Sequence, residues 1–111
     1  MAISSDILRG YTDTIILRQL SRGDSYGYRI SKTVAEISEG GLEMKEATLY
    51  TAFRRLEQGG LIRSYWGDEQ SGARRRYYAI TPQGLERLNR DCAAWRDTRR
   101  LMNLLLGGEG E

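Results

Sequence analysis

The chain has 111 residues, of which 40% are hydrophobic and 29% are charged, and its formal net charge is +2. This length and this balance are typical of one modest globular domain with a single core, and they argue against a disordered chain. There is no histidine and one cysteine, Cys92. These counts argue against a Cys/His metal site, against histidine acid–base catalysis and against an internal disulfide.

The expected compartment is the cytoplasm. The N-terminal residues lack the basic region followed by an apolar run that marks a secretory signal. No stretch is long and apolar enough to span a bilayer, so no membrane partner is expected. A single cysteine suits a reducing environment, in which Cys92 is either a small packed side chain or a redox switch. No cofactor is predicted.

Two helices are predicted in the first part of the chain. The first begins after an N-cap at Ser4 or Ser5 and continues to about residue 20, with more apolar surface than one small core can absorb. The second begins at an N-cap at Ser25 and ends at the glycine pair 40–41. Residues 42–44 are predicted to form a short strand. The second helix is predicted to face the core through four residues at helical spacing: Tyr26, Ile30, Val34 and Ile37.

A third, amphipathic helix is predicted over 46–58 and ends at the glycine pair 59–60. Its apolar stripe consists of Leu49, Ala52, Phe53 and Leu56. The opposite side is small and hydrogen-bonding at first and cationic further along; it carries Ala47, Thr48, Thr51, Arg54 and Arg55. Small residues let a helix approach a DNA groove closely, and arginines can hold phosphates beside it. This is therefore a candidate recognition helix.

Two strands, 61–66 and 74–80, are predicted from their aromatic and β-branched residues. The loop 67–73 between them is long for a hairpin, which suits a protruding wing. Asp68 and Glu69 in this loop would repel phosphate, so only the Arg74 side is expected to contact DNA. By strand alternation, at most one of Tyr77 and Tyr78 is exposed. The order of elements indicates a winged helix-turn-helix in an α+β, mostly α, fold.

The distribution of charge supports a nucleic-acid partner. Residues 1–44 carry five basic and six acidic groups, whereas residues 45–100 carry twelve basic and seven acidic groups. The positive excess therefore coincides with the candidate recognition helix and wing, where phosphate binding needs it. The alternative is that these arginines only solvate a helix face.

A long C-terminal helix is predicted from the Thr81-Pro82 start signal to residue 106. A heptad seam runs along it through Leu85, Leu88, Cys92, Trp95, Arg99, Met102 and Leu106. A helix of this length, roughly 35 Å, exceeds what so small a domain can cover, so the seam predicts a homodimer. The predicted organisation is a winged helix-turn-helix domain over 1–81, a dimerisation helix over 82–106 and a disordered tail over 107–111.

Several spaced motifs resemble the PadR family of bacterial transcriptional regulators, over essentially the whole of residues 8–106. The motifs are Tyr26-Gly-Tyr-Arg-Ile30, Ala47-Thr-Leu-Tyr50, Arg55-Leu-Glu-Gln-Gly-Gly-Leu-Ile62 and Arg74-Arg-Arg-Tyr-Tyr-Ala-Ile-Thr81, followed by Gly84. The short chain with one C-terminal helix is similar to the small-subfamily branch. Residues 46–69 are especially similar to the lactococcal multidrug-sensing repressor of that branch.

The resemblance implies a homodimeric repressor on a palindromic operator in double-stranded DNA. In the multidrug-sensing member, a tryptophan from each C-terminal helix lines a pore at the dimer centre and stacks flat aromatic drugs, and Trp95 matches it. The resemblance thus implies a planar aromatic effector bound near Leu8, Tyr11, Ile15, Leu88, Cys92, Trp95 and Arg99. The chain departs from that relative at Cys92, at Arg99 and at Asp13, so a preference for cationic drugs does not carry over. The alternative for Trp95 is a residue that only fills the dimer core.

The predicted groove contacts are Ala47, Thr48 and Thr51. The predicted phosphate contacts are Lys45, Tyr50, Arg54, Arg74 and Arg75, although Tyr50 flanks the apolar stripe and packing is its alternative. Two other classes of protein remain as alternatives. A winged-helix module for protein–protein contact is disfavoured by the arginine run 74–76. A small enzyme is disfavoured because no nucleophile–base pair, metal set or phosphate-binding glycine loop is present.

Overall fold

The computed structural model describes residues 3–67 and 74–107. Along this part of the chain the elements are α1 Ser5–Arg9, α2 Thr12–Ser21, α3 Gly27–Ile37, α4 Glu46–Gln58, β1 Ile62–Trp66, β2 Arg76–Ile80 and α5 Pro82–Leu106. The two strands are antiparallel, with Ile62 opposite Ile80. The fold is therefore α+β and mostly helical, with a winged helix-turn-helix and a long C-terminal helix, which confirms the predicted fold class.

One apolar core lies between α2, α3, α4, the two-stranded sheet and the first turns of α5. Its most deeply buried large side chains are Ile16, Leu17, Leu20, Ile30, Phe53, Leu56 and Ile62. The Phe53 ring of α4 stacks on the Tyr78 ring of β2 at a centroid distance of 4.0 Å. Each such side chain stabilises the fold by roughly 1.5–3 kcal/mol. This packing fixes which side of α4 faces outward.

The predicted single first helix is wrong, because two helices occupy that segment. Ser4 caps α1 by accepting a hydrogen bond from the Ile7 amide, and α1 ends with Gly10 at its C-cap. Gly10 weakens helix continuity, and the Tyr11 amide bonds the Leu8 carbonyl at 2.8 Å in a turn. The segment therefore forms two short helices, α1 and α2, in place of one.

Ser25 is not the N-cap of the second helix. Its amide and carbonyl pair with the Tyr78 backbone at 3.1 and 2.8 Å, which holds Ser25 extended against β2. Helix α3 therefore begins later, with Tyr26 in the N-cap position. Ile30 and Val34 are buried as predicted, but Ile37 is 58% exposed. The predicted strand over 42–44 is also wrong, since this segment is irregular.

Helix α5 begins and ends where the sequence predicts. The Thr81 hydroxyl accepts a hydrogen bond from the Gly84 amide and donates one to the Gly60 carbonyl. Gly107 adopts a left-handed conformation, with φ of 70°, at the other end. The tip of the wing, 68–73, and the predicted tail beyond Gly107 lie outside the described residues.

The two halves of α5 have different surroundings. Leu88 is buried against the body of the domain. Beyond Cys92 the large apolar side chains are exposed, namely Trp95, Leu101, Met102, Leu104, Leu105 and Leu106. No helix among the described residues is long and apolar enough to cross a membrane.

Candidate nucleic-acid interface and apolar cavity

The outward side of α4 carries the predicted groove contacts. Leu49, Ala52, Phe53 and Leu56 are at most 2% exposed, so the helix cannot rotate without losing its core packing. Ala47, Thr48, Thr51 and Arg54 are exposed on other sides of the helix. The series Ala47, Thr51 and Arg54 continues at helical spacing to the exposed Gln58, which the sequence analysis missed. The spacing alone could have identified Gln58.

The remaining predicted contacts of α4 lie at its N-terminus and on its flank. Lys45 is exposed in the N-cap position, with extended backbone. The Tyr50 ring is 49% exposed and lies edge-on to Phe53 at 6.2 Å. One part of the Tyr50 ring therefore packs against a core residue, while its remainder faces solvent.

An open cleft of about 630 Å³ separates the N-terminal helices from α4. Its walls are formed by Ser5, Leu8, Arg9, Thr12, Asp13, Ala47, Thr48, Thr51 and Arg55. Three of the wall residues are the predicted groove contacts of α4. The cleft is therefore continuous with the surface predicted to enter DNA.

Arg55 differs from its neighbour Arg54, although both belong to the predicted cationic side. The Arg55 guanidinium donates through Nη2 and through Nε to the two oxygens of Asp13 in α2, the second at 3.3 Å. This hydrogen bond raises the pKa of Arg55 above its ordinary value. The expectation that both arginines face DNA is therefore corrected for Arg55, because its guanidinium group is hydrogen-bonded to Asp13.

Asp13 belongs to a charged cluster that joins three helices. Arg87 of α5 lies 3.9 Å from Asp13 and 3.0 Å from Asp91, and Asp91 accepts a 2.8 Å hydrogen bond from the Thr14 hydroxyl. We call Asp13, Thr14, Arg55, Arg87 and Asp91 the interhelix cluster. It connects α2, the candidate recognition helix and the C-terminal helix.

The third arginine of the wing strand anchors the wing to α4. Arg76 donates to the Ser64 hydroxyl at 2.8 Å and lies 4.0 Å from Glu57 of α4. Ser64 in turn donates to Glu57 at 2.6 Å. Arg74 is exposed, and its guanidinium lies over the Trp66 ring at 5.4 Å. Arg76 thus fixes the wing, while Arg74 faces solvent.

Arg75 connects the wing to the start of α3. Its guanidinium lies 4.5 Å from the centroid of the Tyr26 ring and donates to the Tyr26 hydroxyl at 3.3 Å. The Arg29 guanidinium also lies over this ring, at 4.7 Å. Arg75 is exposed, so its position beside Tyr26 leaves it at the surface. Sequence reasoning predicted Tyr26 as a core residue and did not identify this contact or Arg29.

A second site is an apolar cavity of about 470 Å³ between α1, α2, α3 and α5. Trp95 lies edge-on to Tyr11 beside it, at a centroid distance of 5.5 Å. Five predicted effector residues line the cavity: Leu8, Tyr11, Ile15, Cys92 and Trp95. The structure thus brings residues of α1 and α2 together with residues of α5, which are distant in sequence.

The other two predicted effector residues lie elsewhere. Leu88 is 2% exposed in the core and does not line the cavity, because the domain uses this part of the seam for its own packing. Arg99 is exposed further along α5 and does not line it either. Ile3, Ile7 and Ile37 do line it and were not among the predicted effector residues.

Comparisons with known proteins identify the family to which the fold belongs. The model of the Transcriptional regulator PadR-like family matches residues 16–90. A transcriptional regulator from Clostridium thermocellum is 49% identical, with a TM-score of 0.84 over 92% of this chain and 96% of that one. A PadR family regulator from Clostridium difficile is 39% identical, with a TM-score of 0.76 over 86% and 98% of the two chains.

Two further relatives cover nearly the whole chain. A PadR-like regulator from Bacillus cereus is 30% identical, with a TM-score of 0.81 over 95% of this chain and 100% of that one. A Lysinibacillus sphaericus protein described as uncharacterized is 39% identical over 96% of this chain and 97% of its own length. The family model, the sequence relatives and the fold all agree, and the chain belongs to the PadR-like family of DNA-binding transcriptional regulators.

Proposed function

We propose that the protein is a homodimeric repressor that binds palindromic operator DNA and is released by a planar aromatic effector. The observation that supports it most is the outward side of α4, where Ala47, Thr48, Thr51 and Arg54 are exposed, together with the exposed wing residues Arg74 and Arg75. Helix residues of this kind read base edges, and the wing arginines hold phosphates. Lys45 and Tyr50 add backbone contacts next to the groove.

The exposed apolar half of α5 supports the proposed dimer. A helix of 25 residues is about 37 Å long, and its first turns already pack on the domain. A second copy would cover the Trp95 and Met102 part of the seam, which is otherwise in contact with water. Two recognition helices held in this way must reach half-sites roughly 34–36 Å apart.

The cavity beside Trp95 supports effector control of that spacing. It lies between the body of the domain and α5, so a ligand that fills it acts on the element proposed to join the two copies. Of the described residues that line the cavity, Arg18 is the one that carries a charge, so neutral or anionic ligands are favoured over cationic ones.

We expect Arg75→Ala to weaken binding to all DNA sequences and to lower the magnitude of the salt slope by about 0.9. This is the change expected for the loss of one phosphate contact. Thr51→Ala should instead change the preference among operator variants, because Thr51 is proposed to contact base edges. Fluorescence anisotropy with labelled duplexes at several KCl concentrations measures both effects.

Arg100→Ala is the matched control for Arg75→Ala. It removes the same charge from an exposed position near the far end of α5, and we expect it to keep the wild-type slope. An Arg75→Ala protein with wild-type affinity and slope would show that the wing does not contact phosphate.

We expect Trp95→Ala to abolish binding of planar aromatic ligands while leaving the fold intact. Stacking on an aromatic face contributes about 1–3 kcal/mol by analogy with nucleic-acid bases, and Trp95 borders the cavity with 45% of its surface exposed. A Trp66→Phe protein has Trp95 as its one remaining tryptophan, so ligand quenching of its fluorescence reports the cavity. Calorimetry with a panel of neutral and anionic dyes gives the affinities.

Trp66→Phe is also the control for that experiment. Trp66 lies in β1 with the guanidinium groups of Arg74 and Arg76 over its ring, and its replacement should leave dye affinity unchanged. Equal dye affinities for Trp95→Ala and the wild type would show that Trp95 only packs and does not bind the ligand.

A further inference from the structure

In the interhelix cluster, an arginine of the candidate recognition helix is hydrogen-bonded to a carboxylate of another helix. Arg55 follows Thr51 by one helical turn and lines the same cleft as Thr48 and Thr51. It is 54% exposed, so it has access to solvent at this surface. Its guanidinium group is nevertheless directed at Asp13, whose side chain is 21% exposed.

We propose that Asp13 withholds Arg55 from DNA phosphates and so restrains the sequence-independent affinity of the protein for duplex DNA. The inference rests on the proposed binding of DNA through α4. It assigns Asp13 a role on the opposite side of α2 from the apolar cavity, as a determinant of specificity.

The geometry explains why Arg55 stays with Asp13. Both oxygens of Asp13 accept from Arg55, and bidentate pairs between arginine and carboxylate are the strongest of the charge-assisted hydrogen bonds. Arg87 approaches the same carboxylate at 3.9 Å and is itself held by Asp91, which Thr14 orients. The carboxylate is therefore fixed in place before DNA arrives.

The charges of the cluster also balance. Asp13 and Asp91 carry two negative charges against the two positive charges of Arg55 and Arg87. This flank of α4 is therefore close to neutral, although its sequence contains an arginine. The positive charge expected to attract phosphate remains on Arg54, on the outward side of the helix.

Restraint of one arginine matters because phosphate contacts carry no sequence information. In a specific complex the base contacts fix the register of the protein on DNA. In a non-specific complex the protein settles wherever phosphate contacts are most numerous, so an additional mobile arginine favours that complex most. Non-specific sites in a genome greatly outnumber operators, and restraint therefore favours the operator.

The test measures the affinity for a random-sequence 30-base-pair duplex as a function of KCl concentration, by fluorescence anisotropy. We expect Asp13→Asn to bind several-fold more tightly at low salt and to steepen the salt slope by about 0.9, as one added phosphate contact should. Arg55→Ala should keep the wild-type slope, because no phosphate contact is lost, although the carboxylate left on Asp13 lowers the affinity at low salt. The double variant Asp13→Asn/Arg55→Ala should return to the wild-type slope.

Three control variants separate this effect from a general change in charge and from a change at the neighbouring Arg54. Asp97→Asn removes the same negative charge from an exposed position of α5, and we expect it to keep the wild-type slope. Arg54→Ala should lower the magnitude of the salt slope by about 0.9, whereas Arg55→Ala should not. Asp13→Glu keeps the carboxylate and should stay close to the wild type.

Several results would overturn the inference. Asp13→Asn with an unchanged slope would do so, as would an equal steepening in the Arg55→Ala background. Circular dichroism shows whether Asp13→Asn folds. If it does not, Arg55→Ala still tests the inference. A decrease in its salt slope equal to that of Arg54→Ala would mean that Arg55 already contacts DNA in the wild type. A wild-type protein that binds no duplex at low salt would overturn the proposed function as well.

Discussion

We expect Met102→Asp to convert a dimeric protein into a folded monomer. Met102 continues the seam of α5 beyond the part that packs on its own domain, and it is 46% exposed in the single chain. In the proposed dimer it lies against the second copy, where an unpaired carboxylate would cost on the order of 2–5 kcal/mol. Sedimentation velocity at micromolar protein should show a dimer for the wild type and a monomer for the variant.

The structure makes Met102 a better test than Leu88 from the same seam. An acid at Leu88 would be buried in the core of the domain, so loss of the dimer could not be separated from loss of the fold. Ala93→Asp is the matched control, because Ala93 is exposed and lies nine residues, or two and a half turns, from Met102 on the opposite face. A dimeric Met102→Asp protein would contradict the seam as the interface.

We expect Gly84→Ala to destabilise the fold by about 3 kcal/mol and to lower Tm by roughly 10–20 °C. A Cβ atom added at Gly84 would lie 2.6 Å from Cγ1 of Ile80 and closer still to the Leu61 carbonyl oxygen. Backbone cannot yield as a flexible side chain does, so the first turn of α5 would be pushed away from the sheet. Thermal unfolding followed by circular dichroism measures the change.

Gly10→Ala is the control for the general effect of replacing a glycine. Gly10 has a φ of −80°, which alanine adopts readily, and its added Cβ would lie at an ordinary 3.8 Å from the Ile7 carbonyl oxygen. We expect its unfolding free energy to stay within about 1 kcal/mol of the wild type. Equal stability of Gly84→Ala and Gly10→Ala would mean that α5 does not pack on the sheet as closely as the structure shows.

Local patterns predicted most of the secondary structure. The bounds of α4 follow from its apolar stripe and the glycine pair that ends it, and α5 begins at the Thr81-Pro82 signal. The failures had tertiary causes. Ser25 has the chemistry of an N-cap but pairs with Tyr78, which lies 53 residues away along the chain and which no local pattern reveals.

In the candidate site, too, local sequence patterns do not reveal tertiary contacts. Arg54 and Arg55 are adjacent and chemically identical, but Arg55 lies on the flank of α4 that is approached by Asp13, 42 residues earlier in the chain. Likewise, Leu88 and Trp95 share one seam in the sequence, whereas the domain buries the first and leaves the second beside the cavity. Periodicity gives the face of a helix, but it does not say what covers each part of that face.

The central claim is that two copies of this chain read DNA through two α4 helices. Selection of bound duplexes from a randomised library, followed by sequencing, tests it most directly. We predict enrichment of an inverted repeat whose half-sites lie about 10 base pairs apart, centre to centre, with the preference altered by Thr51→Ala. Enrichment of a single unrepeated site, or no enrichment over the input library, would contradict the account.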